Sequence, residues 1–170
     1  MDNYKYFNNA KKNGYFTDTH CQFCGSNEHC LDGVFFQRSD DLESICLSCF
    51  DKKEISVVIP DYVAYKVKEN RDEKVNTLSF CPPVPWIQNN EWPVCCDDFM
   101  EYIGEWEQKE FTEYSENSDG ISLPKEFLID ELKEKVANYD CLWEDLGYGT
   151  AAFVFKCSQC GKIKVICQDY

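Results

Sequence analysis

Histidine is nearly missing from this chain. Two histidines in 170 residues leave little material for the open, His- or carboxylate-ligated metal sites of hydrolases. Long apolar runs are missing too, and no stretch approaches the ~18 consecutive apolar residues of a membrane span. The opening MDNYKYFNNAKKNG is polar and lacks the apolar segment of a secretory signal. A cytoplasmic protein that touches no membrane is therefore expected. Positive charge is scarce: 17 Lys and Arg face 31 Asp and Glu, for a net charge of −14. Such a surface repels phosphate backbones, so nucleic-acid binding is not expected. The one basic cluster near a cysteine knuckle, Lys156, Lys162 and Lys164, reads as the solvent face of a strand.

The acidity is concentrated. Residues 87–145 hold 17 acids against four lysines, and the remainder of the chain is almost balanced. This stretch reads either as a solvated face or as a docking surface for a basic protein partner. The carboxylates expected to be exposed there are Glu105, Glu107, Glu110, Glu113 and Glu116. Trp106 or Tyr114 would supply an aromatic anchor.

Cysteine, by contrast, is abundant. The chain holds 12, and in a reducing compartment that number argues for metal ahead of disulfides, which are the alternative. With 44% hydrophobic and 15% aromatic residues, a packed core is affordable. One domain over 1–170 is expected, with a first metal module at about 20–53 and a second joining 92–101 to 150–168.

The first module rests on Cys21, Cys24, Cys46 and Cys49, spaced C-x2-C-x21-C-x2-C. This lies close to the tetrahedral zinc pattern. A C-x2-C turn lets two thiolates converge on one ion, and Gly25 permits the backbone angle that closes it. CLSC opens a helical turn whose positive end favours thiolates. Four sulfurs would close the coordination shell, making the site structural. His20 is a candidate substitute ligand. The competing readings are a redox dithiol at CLSC, which would need a βαβ setting, and a plain core cluster of cysteines. A catalytic Cys–His pair using His20 or His29 has no other support in the chain.

The second module starts from CSQCG at 157–161, which supplies Cys157 and Cys160 and needs two further ligands. Cys30, Cys81, Cys95, Cys96, Cys141 and Cys167 are available. Cys95 and Cys96, in WPVCCDDFM, are the best pair. Adjacent side chains of a strand point to opposite faces, so both reach one ion only if the backbone bends between them, as it can at a helix start. Otherwise one ligates and Cys141 or Cys167 completes the set. The alternatives are a knuckle that merely packs and a C-terminal redox pair.

Between these motifs, GVFFQR (33–38) has strand character, and 55–59 reads as extended. CPPVPWIQNNEWP must be irregular, with four prolines in 13 residues. Asp97 or Asp98 is expected to cap a helix to about Trp106, burying Phe99, Tyr102, Ile103 and Trp106. The polar stretch 109–121 reads as an exposed loop. A helix from Ser122 to about Asn138 would bury Phe127, Leu128, Leu132 and Val136. TAAFVFK (150–156) and KIKVICQ (162–168) read as strands flanking the last knuckle. The expected class is α+β: small zinc-stabilised antiparallel hairpins, of zinc-ribbon or treble-clef type, packed with two or three short helices.

Four pieces of the chain resemble the CbrC family, small bacterial proteins linked to colicin tolerance. They are YKYFNNAKKNGYF at 4–16, CQFCG with CLSC, PPVPWIQNNEWPVCCDDFMEYIGE at 82–105, and FKCSQCGKIKVICQD at 155–169. The resemblance implies metal ligation at 95–96, since the family tolerates a His-Cys pair there and both side chains bind zinc. It departs at Met100, where the family often has cysteine, and at FDKKEISVV after the second C-x2-C. Together the residues and the resemblance predict a protein with two structural zinc ions and no catalytic role. It would act in tolerance or immunity against a bacterial toxin such as a colicin-like nuclease. A structural zinc protein with another cellular role is the alternative, followed by a metal-dependent enzyme. The Cys-x-Glu and P-C-x2-C pattern of zinc deaminases is missing.

Overall fold

Two apolar runs near the C-terminus build the central sheet. The computed structural model describes residues 4–116 and 119–170. Its N-terminal half supplies α1 (Ala10–Asn13), β1 (Cys30–Asp32), β2 (Ser44–Cys46), α2 (Leu47–Phe50), α3 (Asp61–Ala64) and α4 (Arg71–Ser79). The middle supplies β3 (Val94–Cys95), β4 (Asp98–Phe99) and β5 (Glu101–Glu105). Next come α5 (Gln108–Tyr114), α6 (Ser122–Phe127), α7 (Asp130–Lys133) and α8 (Tyr139–Asp145), then β6 (Thr150–Lys156) and β7 (Ile163–Asp169). The strands form two hairpins, β1–β2 and β3–β4, and one antiparallel sheet in the order β5–β6–β7. This is a mixed α+β fold with small antiparallel sheets and two cysteine knuckles.

β6 is buried from Thr150 to Phe155, and its alternation assigns the two sides of the sheet. Ala151, Phe153 and Phe155 face one core; Ala152 and Val154 face another. A strand covered on both faces reads as an unbroken apolar run, and TAAFVFK is one. The first core is aromatic. The Phe155 ring stacks on Trp86 with centroids 5.9 Å apart, and packs against Trp92 and Tyr102. The proline-rich segment is irregular, as its sequence requires, yet it is held firmly. Buried Gln168 accepts from the N–H groups of Ile87 and Gln88, and donates to Asn89 O at 2.7 Å. The second core, around Phe111, Leu128 and Leu146, is covered by the acidic helices α5–α8.

Several expectations fail for physical reasons. The helix expected from Asp97 to Trp106 is instead β4 and β5. Tyr102 and Gly104 are buried on one side of β5 while Ile103 packs into the second core. A bulge between Tyr102 and Gly104 shifts the register. Apolar residues facing both sides, plus one extra residue, imitate helical spacing. GVFFQR is not a strand: Gly33–Phe36 form a 3-10 turn in which the Asp32 side chain accepts from Val34 N–H and Gln37 adopts φ 54°. The loop expected at 109–121 contains α5. The Glu107 N–H donates to Glu110 Oε2 at 3.0 Å, and Phe111 plugs the second core; residues 117 and 118 of that stretch lie outside the described residues. The long helix from Ser122 is split into α6 and α7. Leu128 pairs with Val165 and the Ile129 N–H donates to Val165 O, so two residues leave the helix to cover the edge of β7. The described residues hold eight short helices where two or three were expected. Residues 55–59 join no strand, although Val57 and Val58 donate to Ser79 O and Phe36 O.

Phe155→Ala is expected to cost about 3–5 kcal/mol, because it removes a ring that three other aromatic side chains touch. Urea unfolding followed by tryptophan fluorescence measures it.

Candidate metal centre

The first C-x2-C is a turn closed on itself. Cys21 N–H donates to Ser26 O at 2.7 Å and Gly25 N–H donates back to Cys21 O at 2.8 Å. The second repeats the pattern, with Cys157 N–H on Lys162 O at 2.8 Å and Gly161 N–H on Cys157 O at 2.9 Å. Gly25 and Gly161 have φ of 73° and 72°, in the left-handed region that other residues resist. One local device, used twice, turns two sulfurs toward a common point.

In the first group, β1 and β2 pair Cys30 with Cys46 and deliver the second C-x2-C beside the first. Cys46 ends β2 as the N-cap of α2, which carries Cys49. The sulfurs of Cys21, Cys24, Cys46 and Cys49 all lie within 4.8 Å of one another, and Cys24 Sγ is 3.6 Å from Cys46 Sγ. Tetrahedral zinc with bonds of ~2.3 Å sets its sulfurs about 3.8 Å apart. Disulfide sulfurs are ~2.05 Å apart, and none of the twelve cysteines is bridged to another. Burial would raise the Cys21 thiol, but the backbone N–H groups of Cys46, Phe23 and Cys24 outweigh it and bring it to about 6. Burial pushes Cys49 up to about 12. A mostly buried group of thiols, with backbone donors on Cys21 and Cys46, suits a cation, whose charge would offset the cost of four adjacent thiolates. Neither histidine joins the group. His20 offers its carbonyl to Ser44 Oγ, and the His29 ring packs edge-on against Phe16.

In the second group, Cys95, Cys96, Cys157 and Cys160 also lie within 4.8 Å of one another. Cys95 Sγ is 3.6 Å from Cys160 Sγ and 3.9 Å from Cys96 Sγ. The adjacent cysteines reach one point, but no helix bends the chain between them. Cys96 and Asp97 are the two central residues of the β3–β4 hairpin, both at φ 54°. Positive φ at both positions is the type I′ hairpin turn, for which Asn-Gly is the usual pair. Here the turn is anchored from outside. Asp97 accepts from the N–H groups of Lys68 and Glu69 at 2.8 and 2.9 Å, and Lys74 Nζ reaches both its carboxylate and its carbonyl. Those donors, the two backbone N–H groups first, lower its pKa to about 2. Gln159 adds a bond to Cys96 O at 3.2 Å. Asp97 is thus a positioning residue that sequence reasoning assigned only to a helix cap. Its signal was an acid directly after the turn cysteine, facing a lysine-rich stretch.

The other cysteines stay apart. Cys30 donates to Ser26 O and Cys81 to Thr77 O, Cys141 is exposed, and Cys167 packs on the second core. No further group of metal-ligating side chains occurs among the described residues. The acidic residues are disposed less uniformly than expected. Glu105, Glu107, Glu113, Tyr114 and Glu116 are exposed. Glu105 accepts from Tyr170 Oη at 3.0 Å, and Glu113 lies 3.9 Å from Lys109. Glu110 is half-buried and bound to the Glu107 backbone, and Trp106 is half-buried between Phe111 and Tyr114.

Fold and site together define an α+β protein with two four-cysteine groups compatible with two structural metal sites. Residues 1–169 match the model of an uncharacterised protein family, UPF0167, and the chain belongs to that family. No curated protein and no solved structure matches it.

Cys24→Ser and Cys160→Ser are each expected to lower tightly bound metal from two ions per chain to one, as counted by native mass spectrometry. Asp97→Ala keeps all eight thiols. It is expected to weaken retention at the second group alone by about 10- to 100-fold, measured by chelator competition.

Proposed function

We propose that this chain is a zinc-stabilised, non-catalytic binding protein of the cytoplasm whose acidic segment meets a basic protein partner. The observation that carries the reading is the closure of both donor sets. Each brings four sulfurs to one point, and a tetrahedral ion held by four thiolates keeps no position for water or substrate. Soft thiolate ligands favour zinc over magnesium, calcium or manganese. Two such centres would take the formal charge from −14 to −18, which strengthens the case against nucleic acid as a partner.

The partner reading rests on charge. Glu105, Glu107, Glu113 and Glu116 are exposed, as is the ring of Tyr114, and exposed carboxylates suit fast, electrostatically steered association with a basic surface. Nuclease toxins must be basic to hold their nucleic acid. The resemblance to the CbrC family, with its link to colicin tolerance, makes such a toxin the partner of choice. A structural zinc protein with another role is the second reading, favoured by the involvement of Glu107 and Glu110 in capping α5.

Cobalt exchanged into the protein is expected to give the absorption of two four-thiolate centres, unchanged by added azide; a shift on adding azide would reveal an open position and favour an enzyme. For the partner, immobilised protein should retain basic bacterial proteins at low salt and release them at ~0.5 M salt. Glu105→Gln, Glu113→Gln and Glu116→Gln combined should cut the retention. Retention indifferent to salt and to these changes would count against a charged docking face.

A further inference from the structure

A groove of about 760 Å³ runs between α3 and the segment 89–94 on one side and α6–α7 on the other, with the start of β7 as its floor. That volume falls within the range of small-ligand sites. Lys66, Lys133, Lys162 and Lys164 line it, and two of these ammonium groups are fixed on backbone carbonyls. Lys66 Nζ donates to Trp92 O at 3.0 Å, and Lys164 Nζ donates to Val94 O at 2.9 Å. One short stretch of backbone therefore holds both. The cations with a carboxylate oxygen in ion-pair range are elsewhere on the described residues or at Lys133, not at Lys66 or Lys164. In a chain of net charge −14, carboxylates are plentiful, so two neighbouring lysines held on carbonyls are a specific arrangement. Desolvation around the Lys66 ammonium lowers its pKa. Glu91 and Glu131 act in the opposite sense, and Lys164 adds to the lowering. A perturbed charged group lining a cleft of this size points to a binding site.

The α6–α7 side is mostly of the other sign, with Lys133 the one cation among its lining residues, and Glu91 lies beside the lysines on the opposite side. Glu126, Asp130 and Glu131 line the α6–α7 side, and only Asp130 has a lysine partner, Lys133 at 3.5 Å. Apolar surface from Val94, Phe127 and Ile163 lies between the walls. A phosphate or polyanion would meet the acidic wall, and a simple cation would meet the lysines. A ligand bearing both charges on an apolar body satisfies both walls at once. We propose that this groove binds a zwitterion of the amino-acid or short-peptide class, its carboxylate on Lys66 and Lys164, its ammonium on Glu126 and Glu131, and its apolar part on Phe127 and Ile163. None of the eight clustered thiols lines the groove, although Val94 precedes Cys95 in β3.

Calorimetric titration of the full chain with tri-leucine tests this. Tri-leucine is expected to bind, and its N-acetylated and C-amidated forms are each expected to bind at least about tenfold more weakly, since each lacks one charged hydrogen-bonding end. Lys66→Met and Glu131→Gln should each lose about tenfold with metal content and circular dichroism unchanged. Lys109→Met, outside the groove, should behave as the parent. Free leucine separates the two sources: affinity equal to that of tri-leucine assigns a free amino acid, and weaker binding assigns a peptide. No binding of leucine or tri-leucine up to ~10 mM, equal binding of the blocked forms, or unchanged affinity in both groove variants would overturn the proposal.

Discussion

Eight sulfurs drawn to two points form the constraint on which this fold depends. Ionised thiols at 3.6 Å would repel one another, and a cation among them would offset that repulsion, which both four-cysteine groups are arranged to allow. The segments gathered are distant in sequence. Cys24 meets Cys46, and Cys95 meets Cys160 across 65 residues. Near the sulfurs themselves the local pairing is short, since β1–β2 and β3–β4 pair over three and two residues, and the longer loop is closed further out by the β5–β6 ladder. Hairpins of that length are marginal by themselves, and ion binding in such a site is folding free energy.

The second organising element is β6. Covered on both faces, it separates an aromatic core that includes the first cysteine group from a smaller core under the acidic helices. The charged stretch is therefore only partly free. Apolar residues such as Phe111 and Leu128 are spent on the sheet, while most of the carboxylates of α5–α8 are exposed. Packing of this kind reconciles −13 over residues 87–145 with a folded segment. The charge repels along the surface while the buried minority holds the helices down.

What the sequence made legible was local. Each C-x2-C-G turn needs only a few consecutive residues, and the flanking strands of the last knuckle are continuous apolar runs. Hence the eight thiols could be grouped, and 150–168 placed as two strands around a turn, from spacing and pattern. Tertiary demands hid the rest. Tyr102 and Ile103 face opposite cores, and a bulge beside them turns a strand into something spaced like a helix. Leu128 and Ile129 would continue a helix on propensity, but the open edge of β7 offers their backbone a partner. The turn at Cys96–Asp97 lacks the Asn or Gly that would announce it. Its energy comes from Lys68, Glu69 and Lys74, about 25 residues away in the chain.

That last contact separates the two cysteine groups. In the first, three of the four thiols are buried and belong to the aromatic core, so its geometry and the packing of Phe36 and Phe50 are one structure. In the second, only Cys157 is buried. Cys96 is held at the rim by the Gln159 bond to its carbonyl and by the tethering of its neighbour Asp97 to Lys68, Glu69 and Lys74, instead of by packing. Polar anchors fix a position without enclosing it. The second group is consequently the more exposed of the two, and its arrangement depends on contacts that solvent can reach, whereas the first cannot open without disturbing the core around it.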